Sequence, residues 1–161
     1  MFEYLMPTLY FQSHVNMLLH KSVVSMVNYQ RGYALSKRVP WGISEAGFYQ
    51  FDTNMNYQYR AFGVPALGFK RGLADDLVIT PYASFMAIKW APSSVEENAH
   101  DLISHDAYGP YGFYESIDFT QNRLSAGKKY EVIREYMSHH QGMILMALVN
   151  YLRDDLMVRR V

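Results

Sequence analysis

The stretch "RVPWGISEAGFYQFD", residues 38–52, places a single glutamate, Glu45, inside a loop rich in glycine and aromatic side chains. Its apolar neighbours are Trp41, Ile43, Phe48 and Tyr49. Apolar surroundings shift the pKa of a carboxyl group, and sugar rings stack on aromatic faces. The loop therefore offers Glu45 as a catalytic carboxylate, and the alternative is a loop glutamate that accepts a backbone N–H.

The composition around this loop narrows the classes of protein. The chain has 161 residues, of which 50% are hydrophobic and 16% aromatic, enough for one domain with a sizeable core. Acidic and basic residues balance at 15 each, and a neutral chain is a poor partner for nucleic acid, which needs a basic excess. Cysteine is absent, which excludes disulfides and thiolate metal sites.

Apolar periodicity predicts four helices in one structural unit. Ser13 is a candidate cap for the first, Pro81 fits the first turn of the second, and Ser94 with Glu97 forms a capping box for the third. The predicted helices span residues 12–36, 81–90, 94–105 and 138–154. One apolar face of the last helix is predicted to comprise Ile144, Leu145, Leu148, Val149 and Leu152.

The segments between these helices are rich in turn-forming residues. Residues 37–80 contain eight of the clearer turn formers, five glycines, two prolines and Asn54, so regular structure there should be short, and a long ordered loop is usually functional. Residues 108–120 predict a turn and a short extended piece, and residues 132–137 a turn of helix or a short strand. The predicted fold class is mainly α, with aromatic loops between helix ends.

Two further acidic motifs compete with Glu45 for a chemical role. Glu115 lies in "YGPYGFYESIDFT", again between aromatic residues, and glycosidases need two carboxylates about 5–5.5 Å apart, or wider when water is the nucleophile. The alternative is that Glu115 orders the turn or contacts a hydroxyl. Asp75 and Asp76 precede a predicted helix, where they would favour the helix dipole.

Three other chemistries find little support. His139 and His140 are adjacent, whereas a helical metal site needs histidines four residues apart, so we expect hydrogen bonds to a ligand or loop and no metal. Arg60, Lys70 and Arg71 alternate with aromatic residues, but zero net charge argues against nucleic acid. The chain has no nucleotide, phosphate or serine-hydrolase motif, and no cofactor is expected.

Five long blocks resemble the central glucoamylase-like domain of cyclic β-1,2-glucan synthases, which is similar to domains of endo-β-1,2-glucanases. The blocks are "MFEYLMPTL", "VPWGISEAGF", "NYQYRAFGVPALGFKRGLADDLVITPYASFMAI", "YGPYGFYESIDFT" and "YMSHHQGMILMALVNYL". They cover nearly the whole chain in order. The resemblance implies an α/α toroid with a sugar site formed by loops at one end. It also implies that linear β-1,2-glucan is transferred to a glucan hydroxyl with retained configuration, which can close the chain into a ring.

The resemblance assigns roles residue by residue. The glutamate of "WGISE", Glu45, corresponds to the nucleophile, and the acid/base glutamate lies upstream of the "FEYLMP" block, in a helix outside this sequence. The chain is therefore expected to be the C-terminal part of an incomplete toroid, residues 1–161. The candidate substrate contacts in the matched loops are Glu3, Trp41, Tyr57, Arg60, Asp75, Tyr111, Glu115, His139, His140 and Gln141.

Three functional hypotheses stay open at this point. In the first, Glu45 is the nucleophile of a transglycosylase that acts on β-1,2-glucan oligosaccharides together with the rest of a parent synthase. In the second, the chain binds glucan without catalysis. In the third, Glu3 or Glu115 completes a hydrolase with Glu45. The resemblance further implies a bacterial cytoplasmic domain without direct membrane contact, in a parent anchored in the inner membrane. Helix faces meant for missing hairpins would favour self-association.

Overall fold

A computed structural model describes residues 1–68 and 72–160, in which helices predominate and short strands fill the long connections. Single-turn 3₁₀ helices also occur at Met6–Leu9, Gln121–Arg123 and Val158–Arg160. The α-helices are α1 (Phe2–Leu5), α2 (Leu18–Lys37), α3 (Pro81–Phe85), α4 (Pro92–Ser104) and α5 (Ser138–Leu152).

Seven short strands form three small antiparallel sheets. They are β1 (Ala46–Phe51), β2 (Tyr57–Arg60), β3 (Val78–Ile79), β4 (Tyr108–Gly109), β5 (Gly112–Phe113), β6 (Ser116–Asp118) and β7 (Glu131–Ile133). The sheet orders are β1-β2, β3-β6-β7 and β4-β5. In the first sheet Gly47 lies opposite Tyr59 and Ala46 opposite Arg60, which fixes the side chains that share each face.

The buried apolar residues fall into two clusters. The first joins the helices, with Leu5, Val23, Met26 and Tyr82 among its members. The second lies beneath the sheets and includes Ile43, Ile79 and Ile117. The loop of residues 41–46 crosses from one cluster to the other, because Trp41 belongs to the first and Ile43 to the second.

Two carboxamide side chains hold this crossing loop. Asn98 of α4 accepts a hydrogen bond from the Trp41 N–H (2.8 Å) and donates to the Trp41 carbonyl (2.9 Å). Gln30 of α2 makes the same pair of bonds with Ile43, at 3.0 and 2.9 Å. Each carboxamide thus supplies the donor and the acceptor that a neighbouring strand would otherwise provide. The backbone N–H and carbonyl groups of Trp41 and Ile43 are therefore paired although they are buried.

Glycine is required between the two carboxamide-bound residues. Gly42 has φ +127°, and a Cβ placed on it would lie 2.8 Å from the Thr80 carbonyl oxygen. The same close approach lets the Thr80 N–H donate to the Gly42 carbonyl (2.8 Å). The loop therefore packs backbone against backbone at the start of α3.

Most predicted elements are present with shifted ends. The last helix begins at Ser138 as predicted and ends at Leu152, and the third ends at Ser104. The first begins at Leu18, not near residue 12, and Val15 and Leu18 are exposed (70% and 81%). Residues 131–133 form a strand, which decides between the two alternatives for that segment.

Three details of the helix predictions were wrong. Ser94 is not a cap, because α4 begins at Pro92 with Ala91 at the N-cap position and no side-chain cap. The helix that starts at Pro81 ends at Phe85, five residues early. The buried face of α5 differs from the predicted apolar face, because Leu145 and Leu152 are exposed (63% and 71%). The buried residues of this helix are His140, Ile144, Ala147 and Asn150.

The substitution Asn98→Ala tests the role of the carboxamide at Trp41. We expect the free energy of unfolding to fall by about 2–4 kcal/mol, because a buried donor and a buried acceptor of Trp41 lose their partners. Urea denaturation followed by tryptophan fluorescence measures the change. Asn28→Ala, at an exposed position of α2, is the control and should change stability by less than about 0.5 kcal/mol. Equal effects of the two substitutions would contradict the role of Asn98.

Candidate active site

Glu45 lies where the crossing loop enters β1, at the edge of a cleft. The cleft has a volume of about 110 Å³ and is also lined by Glu3, Phe62 and Leu73. Glu45 itself is half-buried, whereas Glu3 is exposed. Two of the three predicted catalytic carboxylates therefore border one cavity, with apolar walls between them.

Tyr82 of α3 contacts the chain at Ser44 and Glu45. The Tyr82 hydroxyl lies 2.9 Å from the Ser44 Oγ and 3.1 Å from the Glu45 carbonyl oxygen, both within hydrogen-bond range. Tyr82 is fully buried, and burial raises the pKa of its phenol, so the hydroxyl stays protonated as a donor. The main chain that carries Glu45 is thus held on both sides, by Tyr82 and by the bond of Gln30 to Ile43.

The third predicted carboxylate, Glu115, is buried and paired with His140. Both Glu115 oxygens lie close to the His140 Nδ1 (2.9 and 3.0 Å), and Glu115 Oε1 also accepts the Gly47 N–H (3.1 Å). The two side chains are about 1% exposed. His140 stacks on the Tyr82 ring at 3.7 Å between centroids. Both side chains lie beneath the surface in this conformation, and their contact with a substrate stays a prediction.

Tyr59 connects this buried pair to Glu45. The Tyr59 hydroxyl lies 3.4 Å from the His140 Nε2. Tyr59 pairs with Gly47 across the hairpin, and strand alternation places the side chain two residues earlier, Glu45, on that same face. Burial raises the pKa of Tyr59, and the charges of Glu45 and Glu115 raise it further.

A further carboxylate, Glu135, approaches the same face over Gly47. A Cβ placed on Gly47 would lie 2.9 Å from Glu135 Oε2 and 3.3 Å from the Cγ of Glu115. Glu135 Oε2 is buried without a hydrogen-bond partner. Burial raises the pKa of Glu135, the charge of Glu115 raises it further, and His140 acts in the opposite direction. The absence of a side chain at Gly47 leaves space for the Glu115 and Glu135 side chains to approach each other.

Arg60 lies on the opposite face of the hairpin from Glu45, because it pairs with Ala46. There its guanidinium forms an ion pair with Asp76 and lies 5.0 Å from the centroid of the Phe62 ring. Asp76 also pairs with Arg123 (2.8 Å). The expectation that Asp75 and Asp76 serve the dipole of the next helix was wrong for Asp76, which is held by arginines five residues before Pro81.

The other predicted contacts are scattered around the domain. Trp41 is buried (7% exposed) beside an open groove of about 460 Å³ between α2 and α4, and its indole N–H donates to the Ser94 carbonyl (3.3 Å). Tyr57 packs on Phe51 at 4.9 Å between ring centroids. Asp75 is exposed beside Gly72.

Three predicted contacts lie near the β4-β5 hairpin and the start of α5. Tyr111 is 80% exposed in the hairpin turn. Gln141 donates to the Phe113 carbonyl (2.9 Å) and so ties α5 to that hairpin. His139 is exposed, its ring centroid 6.5 Å from that of Tyr59, and partial burial and the neighbouring His140 lower its pKa. Lys70 and Arg71, considered for nucleic acid, lie outside the described residues.

Sequence reasoning missed several side chains that build the site. Tyr59 could have been found from "NYQYR", because Tyr57 and Tyr59 alternate in a strand and share a face. Glu135 carries no such signal, since its proximity to Gly47 depends on how β7 meets β1. Gln30 and Asn98 are polar residues on otherwise buried helix faces, and such positions usually carry a hydrogen-bonding role.

Neither a metal-binding cluster nor a membrane-spanning helix is found among the described residues. Within residues 1–68 and 72–160, no group of three or more histidines and carboxylates is arranged to hold a metal ion. In the same part of the chain, no helix combines the length and apolar character needed to cross a membrane.

The helices and the carboxylate-lined cleft together define a mainly helical domain of the glucoamylase-like class. A family model described as putative glucoamylase matches residues 1–161. The chain belongs to this family.

A curated relative and two solved structures refine the comparison. The chain is 43% identical over 150 residues to the cyclic beta-(1,2)-glucan synthase NdvB of Rhizobium meliloti (strain 1021). The matched region is 93% of this chain but only 5% of that protein. An endo-beta-1,2-glucanase from Chitinophaga pinensis superposes with a TM-score of 0.53 and 19% identity, over 83% of this chain and 30% of that one. A putative glucoamylase from Bacteroides fragilis gives a TM-score of 0.46 and 26% identity, over 73% and 23%.

The substitution Gly47→Ala tests the close packing of carboxylates at β1. We expect it to lower the free energy of unfolding by about 1–3 kcal/mol, because the new methyl group overlaps Glu135 Oε2. Adding Glu135→Ala should recover part of that loss. Gly142→Ala, in α5 with nothing near its Cβ position, is the control and should raise stability by about 0.5–1 kcal/mol. Equal losses with and without Glu135→Ala would contradict the contact.

The raised pKa of Glu135 predicts a pH-dependent effect of Glu135→Gln. A carboxyl group with a raised folded-state pKa contributes stability below its ordinary pKa and loses it as pH rises through the folded value. The variant should therefore gain stability relative to the natural chain near about pH 7, and this gain should vanish near about pH 4. Urea denaturation at both pH values measures it. Exposed Glu96→Gln is the control, and the same pH trend in both variants would refute the prediction.

Proposed function

We propose that this chain is the part of a β-1,2-glucan-processing transglycosylase that supplies the nucleophile, Glu45. The single observation that carries the proposal is the position of Glu45 at the cleft, on a backbone held by Gln30 and Tyr82. A nucleophile must be held at a fixed place relative to the sugar, and this rigid loop meets that need. Membership of the putative glucoamylase family and the 43% identity to the synthase support the substrate class.

The proposed reaction has two steps. A Glu45 oxygen attacks C1 of the glucosyl unit, the bond from C1 to the leaving oxygen breaks, and a glycosyl ester of Glu45 forms. A hydroxyl of another glucan then attacks C1, the ester bond breaks and the Glu45 carboxylate returns. Attack by water instead of a glucan hydroxyl would make the protein a hydrolase. Two displacements at C1 retain the configuration.

A second group must protonate the leaving oxygen and later deprotonate the acceptor. Glu3 borders the cleft with Glu45 and is exposed, whereas Glu115 is buried and paired with His140. The resemblance assigns this role to a glutamate outside the sequence. We propose accordingly that the helices of this chain form part of an α/α toroid whose other helices belong to the same parent, since the chain spans 5% of the synthase it matches.

The second candidate function is glucan binding without catalysis. It is favoured by the exposed aromatic side chains near the cleft and hairpin, Tyr59 (40%) and Tyr111 (80%), because sugar rings stack on such faces. A binding protein and a nucleophile-bearing domain differ in one measurable respect, which is formation of a covalent bond to Glu45.

Dinitrophenyl β-sophoroside tests the nucleophile on the chain itself. Sophorose carries the β-1,2 linkage, and dinitrophenolate departs without a proton, so the first step does not need the acid. We expect release of dinitrophenolate and a sophorosyl adduct on the peptide that contains Glu45, measured by absorbance and mass spectrometry. Without a base the second step is slow, so the adduct should persist.

The matched variants decide between the two functions. Glu45→Gln should lower dinitrophenolate release by more than about a thousandfold, because the attacking carboxylate is gone. Exposed Glu96→Gln, on α4, should behave like the natural chain. Binding of sophorose with no adduct in the natural chain would favour the binding protein, and an adduct on another residue would refute the assignment of Glu45.

A further inference from the structure

We propose that Tyr59 is a positioning residue whose hydroxyl donates a hydrogen bond to the Glu45 carboxylate and, when Glu45 is esterified, donates it to His140 instead. The inference rests on the proposed function, because it concerns the carboxylate that would form the glycosyl ester. It goes beyond that function by assigning a role to a buried pair, Glu115 and His140.

The proton on His140 is assigned from its partner. An ionised carboxylate only accepts hydrogen bonds, and both Glu115 oxygens lie within 3.0 Å of the His140 Nδ1, so Nδ1 carries the proton. In a neutral imidazole the opposite nitrogen, Nε2, is then an acceptor. Stacking on Tyr82 and complete burial hold the ring in this orientation.

The Tyr59 hydroxyl can therefore donate its one hydrogen bond to either of two acceptors, the Glu45 carboxylate or the His140 Nε2. Its hydroxyl is 3.4 Å from the His140 Nε2, and the register of β1 with β2 places its side chain on the face of Glu45. A hydrogen bond to an ionised carboxylate is stronger than one to a neutral nitrogen. In the free protein we therefore expect the Tyr59 hydroxyl to donate its hydrogen bond to Glu45, and 3.4 Å to Nε2 is long for a hydrogen bond from a hydroxyl.

Formation of the glycosyl ester reverses the preference. The ester of Glu45 carries no charge and is a weak acceptor, so the His140 Nε2 becomes the better partner for the Tyr59 proton. When the ester breaks, negative charge returns to the Glu45 oxygen, and Tyr59 can donate to it again. The donor thus stabilises the carboxylate as a leaving group and favours the second step over the first.

The charged groups around Tyr59 act in a consistent direction. Glu45 and Glu115 both raise the pKa of its phenol, which keeps the proton on the hydroxyl as the mechanism requires. Glu135, two residues after β7, approaches Gly47 of β1, which lies opposite Tyr59, and its raised pKa favours the neutral form. His139 lies beside Tyr59 on the solvent side, with its pKa lowered, so the neutral form is favoured there too.

Tyr59→Phe tests the inference with dinitrophenyl β-sophoroside. We expect the first step to stay within a few-fold of the natural chain, while the glycosyl adduct persists about ten- to a hundredfold longer, because one charge-assisted hydrogen bond to the leaving carboxylate is lost. Tyr29→Phe, at an exposed site on α2, is the control and should leave both steps unchanged. An unchanged adduct lifetime in Tyr59→Phe would overturn the inference.

A second measurement does not depend on catalysis. The ¹³Cζ resonance of labelled tyrosine reports hydrogen bonding of the phenol, and Tyr59→Phe assigns it. Glu45→Gln should move the Tyr59 resonance in an otherwise folded protein, whereas Glu96→Gln should not. A resonance that ignores Glu45→Gln would overturn the inference. If no adduct forms in the natural chain, the proposed function fails, while this experiment still decides whether Tyr59 binds Glu45.

Discussion

The structure depends on two buried carboxamides that hold an unpaired backbone segment. Residues 41–44 cross between the helical core and the sheets, and neither side offers them a strand to pair with. Gln30 and Asn98 take the place of that strand, each with one accepted and one donated hydrogen bond. Buried amide groups without partners are costly, so these two side chains decide where the loop can lie.

The position of Glu45 follows from this constraint. Its carbonyl lies against Tyr82 of α3, its side chain borders the cleft, and the strand that follows it meets the side chains of β6. The Gly47 N–H donates to Glu115, and the Tyr49 N–H donates to Asp118 (3.0 Å). Glu115, directly before β6, and Asp118, within it, therefore bind the backbone of β1, which belongs to a different sheet.

The same arrangement concentrates charge in a small volume. Glu115 is paired with His140, and Asp118 with Arg123, so two buried carboxylates have cationic or hydrogen-bonding partners. Glu135 has no such partner for one oxygen, and burial and the charge of Glu115 raise its pKa. Carboxyl groups with perturbed pKa values cluster at functional sites, and the neighbours Glu115 and His140 belong to the candidate site.

The sequence by itself determined the helices that have strong apolar periodicity and the loop that carries Glu45. The last helix and the end of the third helix were predicted because 3.6-residue periodicity is a local property. The buried face of α5 was not predicted. Leu145 and Leu152 are exposed, whereas His140 and Asn150 are buried with their side chains hydrogen-bonded. Only the tertiary structure decided that Tyr59, His140 and Glu115 form a chain beside Glu45. Their contacts join segments up to 81 residues apart, and no local pattern encodes such a distance.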